Sequence, residues 1–278
     1  MASGAAPVTV HRFRAAPGGG MAHDVVAVEE PLQIRLDDGS GARALAVTMR
    51  TPGQDEALAL GFLFTEGIIP GTAAVASVTL GDPADAETRN TVTVALHPSC
   101  PVDWPRLQRH SYTSSSCGVC GKAALEQVFQ ALPFGEMPGD WRVPAELISA
   151  LPRRLRAAQA LFAATGGIHA AGLFDATGEL LLLAEDVGRH NALDKVIGQC
   201  LRPDELPLSQ RILVLSGRAS FELLQKAAMA GIEFVVSVGA PSSLAVALAT
   251  DQGITLCGFV REAGFNCYAT PERLLAAG

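Results

Sequence analysis

Two cysteines three positions apart, Cys117 and Cys120, sit in "SSSCGVCGK", a run made almost wholly of small residues. Three chemistries use such a pair: half of a zinc site, a dithiol switch, or a thiolate that handles sulfur itself. A structural zinc site takes four ligands, usually from two such pairs or from one pair with nearby histidines. One pair is present, and His97, His110, His169 and His190 stand at no finger-like spacing, so no metal is expected. The helical pattern "KAALEQVFQAL" starts just after Cys120. Its N-terminus would favour a thiolate, and Lys122 adds an activating positive charge. A thioredoxin-type dithiol would be approached along a buried strand, whereas this pair is approached through Thr and Ser. Ser114, Ser115, Ser116, Gly118 and Gly121 predict an open, mobile loop, which suits a thiol that must reach more than one partner. On the residues alone, sulfur carriage and dithiol redox are equal readings.

A second set of polar residues collects where apolar runs end. "RILVLSG", "IEFVVSVG" and "ITLCGFV" read as buried strands, and they are joined by helical stretches about a dozen residues long. Such an alternation predicts a mainly parallel sheet covered on both faces, with ligands bound beyond the strand C-termini. The loops at that edge carry Glu185, Asp186, Arg189, His190, Asn191, Asp194 and Lys195, then Ser216, Gly217, Arg218 and Ser220. Gly239, Ser242 and Ser243 follow, then Arg261, Glu262 and Asn266. Gly and Ser at a helix start leave backbone N–H groups open to an anion. Arg189, Arg218 and Arg261 add guanidinium forks suited to phosphate or the edge of a planar heterocycle. The composite predicts a site for a nucleotide-like, phosphate-bearing ligand. The bland alternative is a salt-bridge network that locks a helix onto the sheet, with His190 and Asp194 paired along one helix face. No G-x-G-x-x-G follows a strand and no Walker A sequence is present, so neither NAD nor P-loop chemistry is supported.

The elements that must hold these residues fall into two styles. Residues 1–24 contain Arg12, Arg14 and three consecutive glycines, and read as a disordered tail. Residues 25–110 read as an α+β domain: strands over 25–36 and 43–49 about an Asp37-Asp38-Gly39 turn, a helix in "TPGQDEALALGFLFTEGII", then two further strands. Residues 111–122 are the cysteine loop, and residues 123–278 the α/β domain just described. With 278 residues and 49% hydrophobic content the chain can bury a large core, and its net charge of −7 argues against a general grip on nucleic acid. No apolar run reaches the roughly 20 residues of a membrane span, and a cytoplasmic protein is expected. The chain holds six cysteines but is too long for a disulfide-stapled secreted domain; Cys200 and Cys257 read as small core residues, and Cys100 and Cys267 receive no role.

Several strings together resemble the FdhD family of formate dehydrogenase accessory sulfurtransferases (FdhD/NarQ). They are "SSSCGVCGK", "GGIHAAGLF", "EDVGRHNALDKVIG", "SGRASFELLQKAAMAGI", "APSSLAVALA" and "ITLCGFVREAGFNCYATPERL". The resemblance runs from about residue 25 to the C-terminus. It implies a sulfur relay in which a cysteine desulfurase loads a persulfide onto Cys117, with Cys120 assisting or interchangeable. The sulfur passes to the molybdenum or tungsten of a bis-molybdopterin guanine dinucleotide, a bound substrate destined for formate dehydrogenase. Phe259, Val260, Arg261, Glu262, Ala263 and Gly264 correspond to the family's cofactor-binding segment. The strand-end residues Arg189, His190, Asn191, Ser216, Gly217 and Arg218 would hold the guanine nucleotide moiety alongside it. The resemblance also implies a homodimer and a C-terminal three-layer α/β/α domain like that of cytidine deaminases. The zinc signature of those enzymes, H-x-E with P-C-x-x-C, is absent, because no Glu stands two after His169 and no Pro precedes Cys117. Two rival functions stay in view: a cofactor-binding chaperone that transfers no sulfur, and a dithiol oxidoreductase.

Overall fold

The computed structural model describes residues 4–13, 19–100, 102–105, 107, 132–135, 140–201 and 206–276. Cys117, Cys120 and Lys122 therefore lie outside the described residues.

The first correction concerns the tail. β1 (Ala5–Arg12) and β2 (Gly20–Ala27) pair antiparallel as a hairpin, in register from Ala5 opposite Ala27 to Arg12 opposite Gly20. Three consecutive glycines and two arginines without an acid nearby suggest a tail, but the alternation of Val8 and Val10 in "AAPVTVHR" is a strand pattern. Isolated two-stranded hairpins are marginal in water. This one is tied back by Val28 N–H donating to the Gly4 carbonyl at 2.8 Å.

β3 (Glu30–Asp37), β4 (Arg43–Arg50), β5 (Val75–Leu80) and β6 (Thr91–Leu96) make a four-stranded sheet in the order β4-β3-β6-β5. Alternation puts Leu32, Ile34 and Leu36 of β3 and Val92, Val94 and Leu96 of β6 on one buried face. Helix α1 (Asp55–Thr65) covers that face with Leu58, Leu63 and Phe64. Asp37 forms the expected turn, its Oδ1 accepting from Gly39 N at 2.8 Å and Gly41 N at 3.1 Å.

After the two-residue strand β7 (Val143–Pro144), the second half forms a six-stranded sheet in the order β9-β8-β10-β11-β12-β13. Its strands are β8 (His169–Phe174), β9 (Leu180–Asp186), β10 (Ile212–Leu215), β11 (Phe234–Ser237), β12 (Thr255–Arg261) and β13 (Gly264–Ala269). β9, β10, β11 and β12 run in one direction and β8 and β13 run against them, so the only parallel neighbours among these six strands are β10–β11 and β11–β12. The expected mainly parallel sheet is therefore a mixed one, because β8 inserts between β9 and β10 and β13 folds back on β12 as a hairpin. Helix α2 (Ala145–Ala158) covers one face with Ile148, Leu151 and Leu155, over Phe174, Ile212, Val214, Phe234 and Val236. Helices α4 (Arg189–Cys200), α5 (Phe221–Met229) and α6 (Ser243–Asp251) lie on the side of the first half, giving three layers. The helical segment before β8 is broken at Gln159 into α2 and the short α3 (Ala160–Thr165).

The two halves share one hydrophobic core, which runs from β3 and β6 through α1 and α4 to Leu173, Leu213, Val235 and Leu256. Helices α1 and α4 meet backbone to backbone. A Cβ on Gly61 would collide with the Asp194 carbonyl, and one on Gly198 with the Ala57 carbonyl.

Candidate functional site at the sheet edge

Topology brings the N-terminus of β8 and the C-termini of β9, β10, β11 and β12 to one edge, where His169 faces Asp186 across the β8–β9 ladder. The loops leaving this edge are laced by backbone bonds that continue the sheet. Gly239 N–H donates to the Gly217 carbonyl at 2.8 Å, Ser242 N–H to Ala219 at 3.0 Å, and Phe259 N–H to Gly239 at 3.0 Å. Ser216 belongs to this lacing, its Oγ accepting from Ala170 N at 2.8 Å. The missing side chains of the glycines matter here. A Cβ on Gly239 would stand 3.0 Å from Arg218 backbone and side-chain atoms, and one on Gly217 would meet the His169 ring at 3.5 Å.

On this platform the polar residues divide into two groups. One group is spent on structure. Asp186 is fully buried; Lys195 Nζ stands 2.7 Å from its Oδ2, which also accepts from Thr51 N. Lys195 Nζ donates to the Thr51 carbonyl at 2.7 Å. Asn191 donates to the Met49 carbonyl at 2.7 Å and to Asp186 Oδ1 at 3.1 Å, and its Oδ1 accepts from Thr48 Oγ1 at 3.0 Å. Asn191, expected at the ligand, is thus fully engaged in clamping α4 to the end of β4. Glu185 accepts from Leu161 N at 2.9 Å and Phe162 N at 2.8 Å, holding the start of α3. Asp194 takes Lys226 Nζ at 2.9 Å on both oxygens and Thr65 Oγ1 at 2.8 Å. The expected pairing of His190 with Asp194 along α4 does not form, because each residue reaches across to α5 instead.

The other group is left open. His190 Nε2 lies 2.8 Å from Glu222 Oε2, an ion-pair contact in which the ring N–H is poorly aligned for a hydrogen bond. Glu222 Oε1 and Ser220 Oγ are buried without a hydrogen-bond partner. Arg189 and Arg218 make no hydrogen bond or salt bridge among the described residues. Burial pushes the Glu222 carboxyl up, but the His190 contact and the charges of His190, Arg189 and Lys226 outweigh it and hold Glu222 below its usual range. Burial, then the neighbouring Arg189 and His190, pushes the His169 imidazole below its ordinary value, against a smaller opposing pull from Asp186. A neutral imidazole, two uncommitted guanidinium groups and the N-terminus of α5 make an edge ready for an anionic ligand with hydrogen-bonding edges.

The C-terminal segment is only partly turned to this purpose. Phe259 is 49% exposed and holds φ at +54°, a left-handed conformation that is an outlier for a bulky residue. A register shift between Gly258 and Arg261 aims it outward. It offers an aromatic face one residue from the buried Val260, which packs in the core under α2. Arg261 Nη1 donates to the Val238 carbonyl at 2.7 Å and its own neighbour Val260 at 2.8 Å, so this guanidinium fastens the segment as well as lining it. Glu262, which pairs with Arg153 at 2.9 Å in the open, and Ala263 form the hairpin turn, and Gly264 opens β13 opposite Arg261.

Sequence reasoning placed Arg189, His190 and Arg218 at this edge, where the structure brings them together, and gave no role to Glu222 or His169. Glu222 was concealed in the helical run "FELLQKAAM", although it opens the turn after the "SGRAS" loop.

The FdhD/NarQ family model matches residues 27–275. The chain belongs to the FdhD/NarQ family. A sulfur carrier protein FdhD of Streptomyces coelicolor is 48% identical over 256 residues, covering 90% of this chain and 89% of that one. The sulfur carrier protein FdhD of Mycobacterium tuberculosis is 46% identical over 257 residues, covering 90% and 92%. A crystal structure from Desulfotalea psychrophila, provisionally designated a formate dehydrogenase accessory protein, superposes with a TM-score of 0.74 at 26% identity. It covers 98% of this chain and 100% of its own. The FdhD/NarQ match takes in the whole sheet edge and begins at Ala27, the last residue of the N-terminal hairpin. No helix among the described residues is long and apolar enough to cross a membrane.

Proposed function

We propose that the protein is a cytoplasmic, homodimeric sulfur carrier that serves formate dehydrogenase by delivering sulfur to the metal of bis-molybdopterin guanine dinucleotide. The observation that carries this reading is the near-full-length identity of 48% to a curated sulfur carrier protein FdhD. The chemistry of the edge supports it. A bis-guanine dinucleotide is anionic and heterocyclic, and Arg189 and Arg218 suit its phosphates while Phe259 offers a stacking face.

In the transfer, the Cys117 thiolate attacks the outer sulfur of a cysteine desulfurase persulfide. That S–S bond breaks, the donor cysteine leaves as a thiolate, and Cys117 carries the persulfide. Delivery as sulfide takes two electrons. Cys120 supplies them by closing a disulfide on Cys117 as the terminal sulfur departs to the metal, or an external thiol supplies them in its place. Lys122 keeps the carried sulfur anionic.

Intact-mass spectrometry tests the loading step, after incubation with a cysteine desulfurase, cysteine and pyridoxal phosphate. The expected result is a gain of one sulfur mass on the wild type, removed by reductant and absent from Cys117→Ala. No gain on the wild type beside an active desulfurase would overturn the carrier reading in favour of a chaperone that binds the cofactor without touching sulfur.

A further inference from the structure

Away from the edge, the described residues hold a second pair of thiols. Cys257 on β12 and Cys267 on β13 are direct partners in the antiparallel ladder. Both belong to the α2 side of the sheet, Cys257 fully buried in that core and Cys267 half-buried against it. Cys267 Sγ donates to the Ala269 carbonyl at 3.2 Å on the same strand. Facing residues of an antiparallel pair have Cα atoms about 4.5–5.5 Å apart, inside the roughly 4.4–6.8 Å that a disulfide spans. A buried cysteine acting only as a small apolar residue needs no second sulfur opposite it. Here two meet at the foot of the hairpin whose turn carries Phe259 to Gly264. Register shifts on both sides of the pair, at Leu256/Cys257 and at Gly258/Arg261, give the backbone room to adjust.

We propose that Cys257 and Cys267 form a reversible dithiol–disulfide site that locks the β12–β13 hairpin. The site is independent of sulfur carriage through Cys117. Cys267 is the entry thiol, being the more accessible of the two. The neighbouring Cys257 thiol pulls the Cys267 thiol down, and the Cys267 sulfur together with burial pushes Cys257 up. The Cys267 thiolate attacks one sulfur of a low-molecular-weight disulfide such as oxidised glutathione. That S–S bond breaks, one thiolate leaves and takes up the proton Cys267 has released, and a mixed disulfide forms on Cys267. Cys257 then attacks Cys267 Sγ while its proton passes to the second departing thiolate. Two protein thiols are oxidised, and the small disulfide is reduced to two thiols.

The sequence makes the product easy to recognise. Trypsin cuts after Lys226, Arg261 and Arg273, so the bridge would join peptides 227–261 and 262–273. The full-length protein is equilibrated in mixtures of oxidised and reduced glutathione, quenched in acid, alkylated and digested. The linked pair is expected to grow with the oxidised fraction and to vanish on reduction, and amide exchange over residues 258–264 is expected to slow in the closed form. Cys257→Ser should leave a glutathione adduct stranded on Cys267, and Cys267→Ser should leave Cys257 unmodified; either variant suffices if the other fails to fold. Full alkylation of both cysteines in the most oxidising mixture, with the chain still folded by circular dichroism, would overturn the proposal. So would a stable adduct on wild-type Cys267 without a link, a link from Cys267 to another cysteine, or unchanged exchange in the closed form.

Discussion

Helices α4 and α5 are joined by two acid–base rungs one turn apart, and the rungs behave differently. The inner rung, Asp194 with Lys226, is fully buried and complete. Thr65 donates to Asp194, and Lys226 Nζ reaches Thr65 Oγ1 at 2.8 Å and Glu66 at 3.2 Å. Burial pushes the Asp194 carboxyl up. On Lys226 burial is outweighed by Asp194 and Glu66, which together push the ammonium up, so Lys226 stays charged across neutral pH. The outer rung, His190 with Glu222, is half-buried and has polar atoms left over. Similar residues at similar spacing thus do two jobs. The number of unmade hydrogen bonds, rather than residue type, separates glue from site.

The largest effect is expected from breaking the inner rung. Lys226→Met strands the buried Asp194 carboxylate and should cost about 3–5 kcal/mol of stability in chemical denaturation. A loss under about 1 kcal/mol would mean that the rung is no more than a surface-grade ion pair. Glu222→Gln, one turn away, should cost only about 1 kcal/mol but weaken GDP binding about tenfold by isothermal titration, since His190 loses its anchor and the edge its carboxylate. Unchanged binding with a stability loss as large as that of Lys226→Met would make the outer rung glue too.

The smallest effect is in pH. The folded pKa of His169 is depressed below its ordinary 6.5, so between the two values the unfolded chain binds the extra proton. Its contribution to stability is present above pH 6.5 and is lost as pH falls below it. His169→Gln should flatten the stability–pH curve in that window, and the imidazole resonance of the wild type should titrate at higher pH once GDP is bound. A His169 resonance indifferent to GDP would separate this residue from the ligand edge.

Patterns confined to a few residues were readable in the chain itself. The alternation in β3 and β6, the apolar runs of β10 to β12, and the Asp37 turn all appear where local spacing placed them. Long-range partners were not readable. Asn191 and His190 are neighbours with the same promise in sequence, yet one is consumed by Met49 and Thr48 from the other half of the chain and the other is left at the edge. Nothing local to "RHNALDK" distinguishes them, because the deciding atoms arrive from more than 140 residues away. The N-terminal strand escapes a local reading for the opposite reason, its short β-branched alternation standing next to a triple-glycine run. Cys267, given no role, acquires interest only from the strand opposite.

The contact of α1 with α4 through Gly61 and Gly198 bears on how the molecule can be divided. Where two helices touch through their backbones, no hinge runs between the bodies they belong to, and the first half cannot swing open to admit a partner. Neither half would keep a closed core if made alone, since each supplies one wall of the other's interior.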